Sequence, residues 1–104
     1  MPKRTPSLEE LKAEYIARCE ATLSAHHRHQ ELQRQIAKMR DMHRQLSREK
    51  GQKDNASALA AQIAQAEADA LALDMERVRC SATAETIKAD MWAAVRRIDP
   101  SWAA

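Results

Sequence analysis

Glycine, proline and phenylalanine are nearly missing from this chain of 104 residues, which has one Gly, three Pro and no Phe. Each scarcity excludes something. Phosphate-binding loops of the G-x-G-x-x-G or G-x-x-x-x-G-K type need several glycines, because backbone must approach the phosphates closely or take positive φ. Gly51 alone cannot build one. A β-sandwich or barrel needs frequent turn residues and β-branched or aromatic strands, and a chain with 3% aromatics supplies neither. The composition therefore points to an all-α protein. Cysteine is scarce too: Cys19 and Cys80 are too few for a disulfide scaffold, and free thiols are expected in a reducing compartment.

Charge of one sign and long apolar runs are also lacking. The 17 basic residues against 15 acidic ones give a net charge of +2, too near balance to mark a nucleic-acid binder by itself. The distribution is uneven, with eleven Lys/Arg against seven Asp/Glu, and all four His, in the first fifty residues. Lys3 and Arg4 resemble the charged start of a secretory signal, but Ser7, Glu9, Glu10 and Lys12 follow where that signal needs an apolar stretch. No segment approaches the roughly 18 apolar residues of a membrane span. The expectation is a cytoplasmic protein with no membrane partner.

What is present is a long helical period. Ser7 and Glu10 are spaced as a capping box. From there a spacing of three and four, mostly on apolar or small residues, runs through Leu8, Leu11, Tyr15, Arg18, Thr22, Ala25, His29, Leu32, Ile36, Met39, His43 and Leu46. Gly51 interrupts, with Asp54, Asn55 and Ser57 as candidate caps for a second helix. A matching series then runs through Leu59, Ile63, Ala66, Ala70, Leu73, Arg77, Cys80, Ala84, Ile87, Met91, Ala94 and Ile98, until Asp99 and Pro100 stop it. Paired from the turn outward, Leu46 meets Leu59, His43 meets Ile63, and so on to Leu8 and Ile98 without a skip. This is the pattern of a two-helix antiparallel coiled-coil hairpin. It assigns a disordered N-terminus to residues 1–6, a helix to 7–50, a turn to 51–55, a helix to 56–99 and a C-terminal tail to 100–104.

Two features bear on function. The second helix carries another apolar line, Ala64, Ala68, Leu71, Met75, Val78 and Ala82, on the side away from the seam. A helix apolar on two faces is normally buried on both, so dimerisation into a four-helix bundle is expected, or docking on a different protein. On the first helix only Ile16 and Leu23 match it. Trp92 and Trp102, beside Arg96 and Arg97, form a candidate hot spot at the other end of the chain. Trp102 folding back over that end, where Val95 and Ile98 meet Leu8 and Leu11, is the competing reading.

Other clusters are weaker. Arg34, Lys38, Arg40, Arg44 and Arg48 lie in a basic arm near the turn that could contact successive phosphates, but no aromatic between Tyr15 and Trp92 is available for stacking on bases. A solvated face is the favoured reading of the arm, since charge runs on long helices are usually that. The middle of the seam is short of large apolar residues and holds His26, His27 and His29. With Cys80, His26 and His29 offer three potential zinc ligands, but no fourth is evident and Arg77 adds positive charge, so no metal is assigned. Cys19 and Cys80 are about six residues, or roughly 9 Å, out of register for a bridge. Neither a catalytic constellation nor a cofactor motif is present. The expected function is a non-enzymatic protein interaction module, a homodimer that presents Ile16, Leu23, Leu71, Met75, Val78, Trp92 and Trp102. By analogy of build this means a small adaptor, assembly chaperone or inhibitor, including those encoded by phages and mobile elements. A nucleic-acid-binding helical bundle is the alternative.

Overall fold

The computed structural model describes the backbone of residues 5–103 and the side chains of residues 5–101. Within that span the chain is a helical hairpin: α1, Leu8–Arg48, and α2, Lys53–Ile98, followed by a short 3₁₀ turn, Pro100–Ala103. The 1–4 part of the expected disordered N-terminus lies outside the described residues, as does the side chain of Trp102.

Local chemistry accounts for the ends of the helices. Ser7 caps α1: its Oγ accepts from the Glu10 amide at 3.1 Å, and its carbonyl accepts from the Leu11 amide at 3.0 Å. Glu9 and Glu10 sit in the first turn, where the helix dipole favours negative charge. Gly51 has φ +80°, and a Cβ placed there would meet nothing within 4 Å, so the position requires glycine for its backbone conformation and not for space. The second helix begins at Lys53, three residues earlier than the sequence suggests. The cap is Gln52, whose carbonyl accepts from the Ala56 amide at 2.8 Å and whose Oε1 accepts from Asn55 Nδ2 at 2.6 Å. Asn55 therefore braces the first turn from inside it, and Asp54 sits within that turn on the favourable side of the dipole. At the far end the Asp99 carboxylate accepts from the Ser101 amide at 3.1 Å and its hydroxyl at 2.6 Å, which turns the chain out of the helix at Pro100.

The chain divides into two compact units, one of them Ser24–Glu76 and the other the segments up to Leu23 and from Arg77. Both boundaries fall in the stretch that the sequence marks as poor in large apolar residues. In the terminal unit Leu11, Ile87 and Ala94 form the core, with Leu8, Tyr15 and Met91 packed against them. In the turn-bearing unit the core is Ile36, Ala66 and Ala70, flanked by Leu32 and Met39. Two exposed ion pairs cross the seam of that unit, Arg28 to Glu76 at 3.3 Å and Arg40 to Glu67 at 2.6 Å.

Two of the expected seam residues are exposed. Arg18 is exposed, as long cationic side chains commonly are at the margin of an apolar seam. Ile98 is 73% exposed, because α1 has no turn before Leu8 to lie over it, and Leu8 itself packs toward the Leu11 cluster. No helix among the described residues is long and apolar enough to cross a membrane.

Candidate interaction surface

Helical spacing that turns Ile63, Ala66, Ala70 and Leu73 into the seam necessarily turns Ala64, Ala68, Leu71 and Met75 the other way. Within the turn-bearing unit all four of the latter are exposed, Leu71 at 61% and Met75 at 55%. The polar groups beside them are tied to their own chain. Glu67 holds Arg40, Glu76 holds Arg28, and Asp69 accepts from Gln65 Nε2 at 2.9 Å. The two ion pairs offset the Glu67 and Glu76 charges at the edges of the face, whose centre is apolar. Met42 on α1 is 54% exposed as well. The sequence does not single it out, because its apolar neighbours at helical spacing, Met39 and Leu46, belong to the seam.

In the terminal unit Ile16, Leu23, Val78 and Trp92 are between 47% and 55% exposed. Trp92 does not simply project into water. With Leu8, Tyr15, Met91 and Val95 it walls an open groove of about 380 Å³, edged by Glu9, Lys12 and Lys88. The sequence shows no sign of this groove, which exists only once the first turns of α1 lie beside the last turns of α2. Tyr15, on its wall, also bonds to Cys19 one turn on. That hydrogen bond raises the phenol above its ordinary value, with smaller contributions in the same direction from charge on Cys19, from burial and from Glu85.

The basic arm is largely engaged in ion pairs. Arg34 pairs with Glu31 at 2.7 Å, Arg40 with Glu67 at 2.6 Å, and Arg44 with Asp41, while Lys38 and Arg48 are exposed. A phosphate contacting the arm would compete with three existing carboxylates.

The histidines do not converge on a shared centre. His26 and His27 are exposed with ring centroids 6.1 Å apart, and half-buried His29 lies 3.4 Å from the Gln33 side-chain amide. Among the described residues there is no group of three or more His, Cys, Asp or Glu that could hold a metal ion. Cys19 and Cys80 are both free thiols.

Comparison of the chain with protein-family models, with curated proteins and with solved structures finds no match.

Proposed function

We propose that this chain is a non-enzymatic cytoplasmic interaction module, a small adaptor, assembly chaperone or inhibitor, which self-associates into a four-helix bundle through the outer face of α2 and presents the Trp92 groove to a protein partner. One observation carries the reading. Among the described residues the large apolar side chains that are buried number four, Leu11, Ile36, Leu59 and Ile87, whereas eight are exposed, among them Leu71, Met75, Val78 and Trp92. Most of the remaining core is alanine, which buries little area per residue.

Light scattering on the wild type and on the Leu71→Asp, Met75→Asp double variant tests the proposal. The expected result is twice the 11.8 kDa chain mass for the wild type at tens of micromolar, and monomer with unchanged helicity for the variant. A monomeric wild type would remove the self-association. Binding to nucleic acid with a steep salt dependence that is lost in Arg40→Ala, Arg44→Ala would replace the proposal with the basic-arm reading.

A further inference from the structure

The outer face of α2 has an internal order that limits what can cover it. Its four exposed positions in the turn-bearing unit, Ala64, Ala68, Leu71 and Met75, are spaced four, three and four residues apart, so the spacing reads the same in both chain directions. The sizes do not. The two positions nearer the turn are alanine, and the two farther from it are long side chains at 61% and 55% exposure. If a second α2 is laid antiparallel on this face, with a two-fold axis between Ala68 and Leu71, Leu71 falls on the partner's Ala68 and Met75 on the partner's Ala64. Each long side chain then meets a small one, which is the arrangement that lets facing helices interdigitate without voids or clashes. A parallel copy in register would set long against long and alanine against alanine, leaving gaps at one end and crowding at the other.

Resting on the reading of this face as an interface, we infer that its occupant is the same face of a second copy of this chain, docked antiparallel in this one register. The symmetry is isologous: the two copies use one patch, and the contact closes at two without leaving a free edge to propagate. Electrostatics permits it, because Glu67 and Glu76 are each paired with an arginine of their own chain, Arg40 and Arg28, and the Asp69 carboxylate, which keeps its charge, is hydrogen-bonded by Gln65.

Engineered cysteines read the register directly. In a Cys19→Ser, Cys80→Ser background, Ala64→Cys and Met75→Cys are made in separate chains, and the chains are oxidised alone and mixed. In the inferred register Ala64 faces the partner's Met75, while two copies of either position stand about 11 residues, or ~16 Å, apart along the helices, beyond the reach of a disulfide. The expected result is a linked dimer of about twice the chain mass in the mixture only. Linked dimers in the unmixed samples would show a parallel pairing and overturn the inference. If no sample links, Leu71→Asp, Met75→Asp separates the causes. Loss of the dimer in that variant keeps the face as the interface and rejects the register, whereas an unchanged dimer rejects both.

Discussion

Substituting alanine at Ile36 and at Leu71 compares burial completed inside the hairpin with burial that needs a second chain. Ile36 is 1% exposed and packs on Ala66 and Ala70, with Leu32 and Met39 beside it. Its neighbours include two alanines, which cannot reach into the space a lost side chain leaves, so Ile36→Ala should cost about 2–5 kcal/mol, as for a core position that relaxes poorly. Leu71 is 61% exposed in the single chain. Full burial of a leucine stabilises by about 1.5–3 kcal/mol. Roughly 0.6–1.2 kcal/mol of that is realised within one chain, and covering the rest in a dimer adds about 0.9–1.8 kcal/mol per chain. The two variants should therefore respond differently to concentration. A hundredfold rise in concentration stabilises a dimer against two unfolded chains by about 2.8 kcal/mol. With a dimer m-value near 3 kcal/mol/M in urea, the wild-type midpoint should rise by about 1 M between roughly 5 and 500 μM. Urea titrations followed by far-ultraviolet circular dichroism at the two concentrations make the measurement. Ile36→Ala should lower both midpoints and keep the gap between them. Leu71→Ala should lower both midpoints, the concentrated one more, and so shrink the gap as the folded chain comes to unfold as a monomer. A wild-type midpoint indifferent to concentration, or an undiminished gap in Leu71→Ala, would refute the reasoning.

Two further outcomes test local features. Gly51→Ala should destabilise the hairpin by about 1–2 kcal/mol, because its φ of +80° is strained for any residue with a Cβ while the space around it is empty; thermal melts showing no loss would mean that the turn does not need this conformation. Tyr15 is the sole tyrosine, so its phenolate absorbance can be titrated without overlap from others, and Cys19→Ala should lower its pKa toward the ordinary value by removing the largest cause of the rise; an unmoved titration would show that the Cys19 contact does not act on the phenol.

The seam was legible in the sequence because it depends on one quantity, the period of the helix, which every seam residue repeats. Tyr15, Ile36, Ala70 and Ile87 all lie where the spacing of three and four puts them. The departures occur where that period no longer decides. Arg18 follows the spacing but has a side chain long enough to leave the seam, and Ile98 follows it past the point where the other helix begins. The start of α2 was misplaced because glutamine is a poor guide to caps from sequence, and Gln52 fills that role here through a bond to Asn55 that spacing alone does not reveal. The apolar line of α2 was readable for the same periodic reason as the seam. The groove beside Trp92 was not, since its walls come from residues more than seventy positions apart in the chain and their side-chain directions belong to neither helix by itself.

The buried alanines restrict how this chain can vary. Ala25 is completely enclosed and Ala70 nearly so, at 3% exposure. A larger residue at either would push on backbone and not merely on another side chain, at a cost of typically 1–3 kcal/mol, and glycine would give up about 1 kcal/mol of helix propensity. Such sites have a ceiling and a floor only one residue type apart. Sequence drift in this protein should accordingly concentrate on the solvent-facing positions, and descendants that keep the hairpin should keep these alanines even where little else remains in common.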